Sequence, residues 1–428
     1  MNVASSPSYS AAKPSPPIGF SDHIRTQFEN LHRQVDLVPE LTCFREGGAL
    51  SSIRYMAHPH GLHVARWLKV LAHTQTQVIV ETANPVPAFS NEFVSARPLV
   101  PGFLKIPMPL RYFLGGILAR FRRSTGLVHA HCASGNGFMA WLSGHPYIIV
   151  TYGSEIFEAK QRGSGYRWLL NKILHGAERI ADCSPECTRV LREQFKIPAE
   201  RIYSFHLGYD ETNFRPLDGA KRSQLRRDAD LPVDEPVWVV NRRTHPLYRT
   251  QEVVEGFLEF CQSNPRGRLV LLCGDHQPRY TDAICGRIQS NSQGHRIRVV
   301  KKMLSPGEFA AWVQLSDFSI SVPGTDNFSI AILESMGCGT VPILSDLDGY
   351  KELRTCRPIR WLSRFEPRDV SAMFAETSKS WPEHHDAERN ECFRFVQAGF
   401  STAKAIRDIT AFSLGTPIQQ QGLNRRAA

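Results

Sequence analysis

The chain has 428 residues, 42% hydrophobic and 21% charged, with a formal net charge of +10, a globular composition that excludes disordered and collagen-like chains. That length predicts two or three domains, each able to bury its own core. Ten cysteines with no CxxC pair exclude a disulfide scaffold, a zinc ribbon and a thioredoxin-like site, and their apolar surroundings imply reduced thiols in a reducing compartment.

In chain order, residues 1–20 are Ser/Pro/Ala-rich without the apolar stretch of a signal peptide. Residues 21–48 are polar and mixed, with room for one helix from Asp22 to Asp36. From about residue 50, short apolar runs alternate with longer amphipathic stretches. The runs predict strands at Ile53–Ala57, Val78–Thr82, Leu127–Ala130, Tyr147–Val150, Arg179–Cys183 and Ile202–Phe205. A second set follows at Val237–Val240, Leu269–Cys273, Ile297–Val300, Phe318–Val322, Val341–Leu344 and Ile359–Leu362. Several, such as Tyr147-Ile-Ile-Val150, are apolar throughout, as strands covered on both faces are. Strand–helix alternation on this scale predicts α/β, doubly wound parallel sheets.

Residues 216–236, with Pro216, Gly219, Pro232 and Pro236 and alternating charge, read as a linker. The expected division is an extension at 1–48, Rossmann-like domains at 49–215 and 237–385, and C-terminal helices and tail at 386–428. Two facing sheets of this kind bind ligands beyond the carboxyl ends of their strands.

The segment from Ser321 to Glu352, SVPGTDNFSIAILESMGCGTVPILSDLDGYKE, carries the sharpest signal. A strand ends in a Pro-Gly-Thr-Asp loop, and a helix is expected from about Asn327 to Gly337, capped by Asp326. Free amides around Asn327, Phe328, Ser329 and Ile330 suit a diphosphate. Asp326 and Glu334 would stand roughly 10–12 Å apart, the span from the sugar to the ribose of a sugar nucleotide. A carboxylate in a small apolar stretch, as Glu334 is, needs a reason to be there.

This segment resembles the retaining glycosyltransferases of family 4, of the bacterial polysaccharide type, which have the GT-B fold. Asp326-x7-Glu334, followed by Ser-Met-Gly-Cys-Gly-Thr-Val-Pro, matches that family's acid-x7-Glu segment. Ala57 to Leu71, His129-Ala-His131, Tyr152-Gly-Ser-Glu155 and Leu207-Gly-Tyr-Asp210…Phe214-Arg-Pro216 match further motifs in order, so the resemblance spans roughly 50–375. It implies transfer of a hexosyl group from a UDP- or GDP-sugar, with retention, to a glycan or lipid-linked acceptor in cell-surface polysaccharide synthesis. Arg242 would neutralise the leaving diphosphate, with Arg243 or Arg249 in support, since the family's Lys is absent here. Asp326 would hold the donor sugar and Glu334 the ribose. His63, His131, Tyr152 and Glu155 would face the acceptor. No metal or other cofactor is implied.

Three other signals weigh less. His58, His60, His63, His129 and His131 have no local carboxylate partner for a metal, and read as structural or substrate-contacting groups. Asp346-Leu-Asp348 and Asp228-Ala-Asp230 spell DxD but lie in a loop and in the linker. Gly135-Asn-Gly137-Phe-Met-Ala140 resembles a dinucleotide fingerprint and keeps an NAD-dependent oxidoreductase as an alternative. A GT-B partner subunit that has lost catalysis is another. Nucleic acid is not an expected partner, because RNP, zinc-finger and helix-turn-helix patterns are absent.

No acidic residue lies between Glu92 and Glu155, while Arg97, Lys105, Arg111, Arg120, Arg122 and Arg123 do. The stretch 105–123, KIPMPLRYFLGGILARFRR, is too short and too charged to span a bilayer. Two readings stand: a core helix with a basic outer face, or a segment lying on an anionic membrane through Phe113, Leu114, Ile117, Leu118 and Phe121. The expected location is cytoplasmic, at the inner face of the cell membrane if the second reading holds.

Overall fold

A computed structural model of the chain describes residues 52–415, apart from 59–60, 73–76, 87, 91–93, 123–126 and 275. The 1–48 extension, with the helix expected from Asp22 to Asp36, lies outside the described residues. Two sheets are present. The first contains β1 (Ser52–Met56), β2 (Gln77–Thr82), β3 (Phe89–Ser90), β4 (Val94–Pro98), β5 (Val128–His131), β6 (Tyr147–Val150), β7 (Ile180–Asp182) and β8 (Ile202–Ser204). Its order is β3-β4-β2-β1-β5-β6-β7-β8, with only the β3–β4 pair antiparallel. The second contains β9 (Val237–Val240), β10 (Arg268–Leu272), β11 (Ile297–Val300), β12 (Phe318–Ser321), β13 (Val341–Ser345) and β14 (Arg360–Leu362), in the parallel order β11-β10-β9-β12-β13-β14. Each predicted strand occurs within one residue of its expected bounds. The edge strands β3 and β4 were not foreseen.

Continuous apolar strands follow from burial on both faces. In β9, Trp238 and Val240 enter one core and Val237 and Val239 the other. Trp238 is fully buried among Phe257, Phe260, Phe318 and Phe374, with ring centroids 5.1–6.1 Å away. Its indole N–H donates to Thr377 Oγ1 at 3.1 Å. Truncating such a ring costs about 3–5 kcal/mol.

The helices that matter for the site are α1 (Leu62–Ala72), α2 (Met108–Arg120), α3 (Gly135–Ser143), α4 (Ser164–Gly176), α5 (Gly219–Asp228), α6 (Thr250–Ser263), α7 (Ile330–Gly337), α8 (Pro367–Gly399) and α9 (Thr402–Leu414). On α1, Val64, Trp67, Leu68 and Leu71 are buried at helical spacing, which turns Arg66 and Lys69 away from that core. Helices α2, α3 and α4 cover one face of the first sheet in a single apolar cluster. On the other face α1 is joined by α9, the last described helix, through Ile406, Ile409 and Phe412.

Two expectations need correction. The stretch read as a linker contains α5, which lacks an apolar stripe and is held by charge instead. Buried Arg226 donates to Asp317 Oδ2 at 2.6 Å and to the Leu315 carbonyl at 2.8 Å, while Arg222 reaches Asp317 Oδ1 at 2.7 Å. The boundary at 386 falls inside α8, which runs unbroken from Pro367 to Gly399.

The basic residues around α2 differ from one another. Arg111 is turned inward and buried, donating to the carbonyls of Ala83 (2.6 Å), Val100 (2.8 Å) and Leu104 (2.8 Å). Arg97 and Arg122 approach Glu81 at 3.4 and 3.3 Å. Lys105 and Arg120 are exposed, and Arg123 lies outside the described residues. No helix among the described residues is long and apolar enough to cross a membrane.

Candidate active site

In each sheet the strand order reverses at one point, between β1 and β5 and between β9 and β12. Loops leaving the carboxyl ends of these strands splay apart there and leave room for a ligand. The sequence-derived candidates sit at the ends of these strands or of the neighbouring β6, on the loops that leave them, or on the helices that follow.

On the second sheet, β9 runs into Asn241, Arg242 and Arg243. The Arg242 guanidinium donates to Asp326 Oδ2 at 2.7 Å and to Ser321 Oγ at 3.3 Å, and lies over the Tyr248 ring at 4.3 Å. Burial is the strongest single influence and works against its charge, but Asp326, Tyr248 and Tyr350 together outweigh it and hold Arg242 above the usual arginine range. Tyr350 donates to the same Asp326 oxygen at 2.6 Å. Burial, then the neighbouring Asp326, raises the Tyr350 phenol well above its ordinary value. Asp326 is thus fixed by two donors and does not cap the helix. The expected helix start is corrected as well: α7 begins at Ile330, with Ser329 as the N-cap residue and Asn327–Phe328 in the preceding loop.

Glu334 lies on buried α7, its side chain 8% exposed, and its Oε1 accepts from Arg66 of α1 at 2.8 Å. Asn241 ties β9 to this helix, donating to Ser335 Oγ at 2.7 Å and to the Ala331 carbonyl at 3.1 Å. Arg249, in the left-handed region at φ 49°, donates to the carbonyls of Val322 (3.0 Å) and Pro323 (2.7 Å) and packs over Phe365. It therefore braces the Pro-Gly-Thr-Asp loop. Arg243 lies 5.9 Å from the Tyr248 ring centroid, on the same short segment.

On the first sheet, His131 is buried, its Nδ1 2.7 Å from the Tyr152 hydroxyl. Glu155 is also buried and accepts backbone N–H groups from Tyr152 (3.0 Å) and Ala133 (3.3 Å), binding the loops after β5 and β6 together. His63 falls on α1, with its side chain outside the described residues. His129 is buried between Tyr55 and Phe412. Burial, aided by Arg179, lowers its imidazole to about 3.

The two halves meet across the cleft. Besides Arg66–Glu334, Asn327 Nδ2 lies 3.1 Å from Cys183 Sγ, and Phe328 is buried with its ring 4.0 Å from His206. Gly153 has φ 97°, and a Cβ there would lie 3.1 Å from Asn327 Nδ2, so the approach of these loops requires glycine. The fingerprint-like glycines serve helix packing: a Cβ on Gly135 would meet the Tyr112 ring at 2.5 Å, and one on Gly137 would meet Ile173 at 3.1 Å. Asp348 pairs with Lys351 at 2.9 Å, and Asp346 pairs with Arg354, both at the surface. Among the described residues no group of three or more His, Cys, Asp or Glu is placed to hold a metal ion.

Sequence reading missed Arg66, Asn241 and Tyr350. Arg66 lay within a noted segment, Asn241 precedes a noted arginine, and Tyr350 lies within the motif itself. Their partners are distant in sequence, so no local spacing marks them.

No family model matches the sequence, and no curated protein matches it either. Solved structures do match the fold. A sucrose-phosphate synthase from Thermosynechococcus elongatus aligns with TM-score 0.68 at 16% identity, over 84% of this chain and 97% of that one. HepE from Anabaena, solved in complex with UDP, aligns with TM-score 0.67 at 12% identity, over 84% and 98%. A trehalose-phosphate synthase (UDP-forming) from Burkholderia vietnamiensis gives 0.63 at 12%, over 84% and 95%. With two parallel-sheet domains facing one cleft and near-complete alignment to these structures, the chain has the GT-B fold.

Proposed function

We propose that this protein is a retaining glycosyltransferase that moves a hexosyl group from a UDP- or GDP-sugar to a glycan or lipid-linked acceptor in cell-surface polysaccharide synthesis. The observation that carries this reading is the Arg242–Asp326 pair at the β9/β12 switch point, with buried Glu334 on α7, the helix that follows it. Structures of HepE with UDP and with UDP-glucose support a nucleotide-sugar donor.

In this reading the donor lies over the start of α7. Arg242 and the backbone amides at the start of α7, around Ser329 and Ile330, take the charge that develops on the diphosphate, and no metal is called for. Glu334 accepts from the ribose hydroxyls, and Asp326 from a hydroxyl of the donor sugar. The acceptor oxygen bonds to the anomeric carbon on the face that the diphosphate leaves. The electrons of the broken C–O bond and the acceptor's hydroxyl proton both go to the diphosphate oxygen. Tyr152, His131, Glu155 and His63 form or support the acceptor side.

The test is a thermal-shift screen of UDP- and GDP-sugars, followed by nucleotide release and the anomeric configuration of the product by NMR. A donor at 100 times its dissociation constant adds about 2.7 kcal/mol of stability. Stabilisation by one sugar nucleotide, turnover at subsaturating donor lowered in Glu334→Ala and a retained configuration support the reading. No stabilisation by any of them overturns it. A second reading, a subunit that binds donor without transfer, is favoured by the commitment of Arg249 to two backbone carbonyls. It predicts stabilisation without turnover.

A further inference from the structure

We propose that the outer face of α2, with the loop before it, is a docking surface for an anionic lipid membrane. Surface helices normally turn their large apolar residues inward. Helix α2 does the reverse. Its buried side carries Gly115, Gly116 and Ala119 against α3, and a Cβ on Gly115 or Gly116 would come within 2.8–2.9 Å of Met139 or Leu142. Its outer side carries Leu110, Phe113 and Leu118, each 43–44% exposed, and Phe121 at 79%. Half-buried Leu114 and Ile117 lie between them and complete a stripe at helical spacing.

The loop before α2 adds Phe103, 81% exposed, and Leu104, 39% exposed. This exposure is held in place by a built feature. Arg111 is 2% exposed, and its guanidinium gathers the carbonyls of Ala83, Val100 and Leu104, which fixes the loop beside the helix. A buried guanidinium spent on loop carbonyls is a costly way to display a phenylalanine unless the display has a use. The same helix layer continues through α3 to α4, where Trp168 is 61% exposed between exposed Arg167 and Lys172.

Charge selects the occupant. Lys105 and Arg120 are exposed at the two ends of the stripe, and no acidic residue occurs between Glu92 and Glu155. An apolar stripe with cationic ends and no carboxylates of its own matches an anionic headgroup layer over an acyl boundary. Arg97, Arg111 and Arg122 take no part, being committed to Glu81 or to backbone. This surface does not depend on the identity of the donor or on turnover, so it stands or falls apart from the proposed reaction.

The experiment is co-sedimentation of the full chain with vesicles of phosphatidylcholine, with and without phosphatidylglycerol, beside sedimentation velocity without lipid. Binding to the phosphatidylglycerol vesicles that weakens with salt is expected. Phe103→Ser/Phe113→Ser/Phe121→Ser should lower it at least about tenfold, since each ring forfeits its apolar transfer. Lys105→Glu/Arg120→Glu should lower it roughly tenfold or more while sparing the weak binding to neutral vesicles. All these side chains are exposed, and an unchanged melting temperature confirms that the variants fold. Failure to bind either vesicle, equal binding to both, or indifference to the triple serine variant overturns the proposal. So does a dimer, in a chain that ignores vesicles, that the serine changes dissociate; the occupant is then a second copy.

Discussion

Glu334 has a partner within the protein: Arg66 holds its Oε1 at 2.8 Å from the other side of the cleft. If Glu334 takes the ribose, the donor competes with Arg66 for the same oxygen atoms. Glu334→Gln removes a charged hydrogen-bond acceptor worth about 1.5–3 kcal/mol, and donor affinity should fall roughly ten- to a hundredfold. The Arg66 side chain is 36% exposed, so its ion pair is screened. Such a pair is worth about 0.2–1 kcal/mol, and Arg66→Ala should therefore tighten donor binding by up to about fivefold. The double variant should bind like Glu334→Gln alone, because the competition vanishes once the carboxylate is gone. Calorimetric titration of the four proteins with the sugar nucleotide found in the thermal screen gives the full cycle. If Arg66→Ala weakens donor binding as much as Glu334→Gln does, Arg66 is itself a donor ligand and the competition argument is refuted.

Arg242→Ala should lower turnover more than it raises the donor KM, by about 3–4 kcal/mol in kcat/KM, whereas near-normal kinetics would remove its diphosphate role. EDTA should leave turnover unchanged, and activity restored by added divalent cation would contradict the assignment of the leaving charge to Arg242 and the α7 amides. His129 should make the fold acid-sensitive: its folded value of about 3 lies below the unfolded 6.5 or so, so its contribution is complete above about pH 6.5 and is lost as pH falls toward 3. That loss is about 2 kcal/mol by about pH 5. His129→Gln should flatten this part of the denaturation profile, and parallel profiles for both proteins would exclude the mechanism.

The strands were legible because their sequences answer to burial on both faces, a signal that survives without knowledge of neighbours. Strands β3 and β4 escaped for the complementary reason. They form an edge, one is two residues long, and the other ends in Arg97-Pro98. Helix α5 escaped because its buried anchors are ionic: KRSQLRRD has no apolar period, and the group that Arg226 leans on, Asp317, is 91 residues beyond it. Glu334 was readable as a carboxylate among small apolar residues. Asp326 was misread as a cap because local sequence offers an aspartate before a helix, whereas its real partner, Arg242, is 84 residues upstream.

The placement of α9 has a consequence for biosynthesis. The first domain lacks one wall of its core until Ala405, Ile406, Ile409 and Phe412 arrive to join Trp67 and Phe205. With ~200 residues between Ser204 and Thr402, that wall stays open for roughly 10–40 s at ordinary elongation rates. The second domain has its sheet and α8 complete first. Of the two halves, the one made earlier is thus the one that finishes folding later, and its nascent apolar face is a natural client for a chaperone throughout that interval.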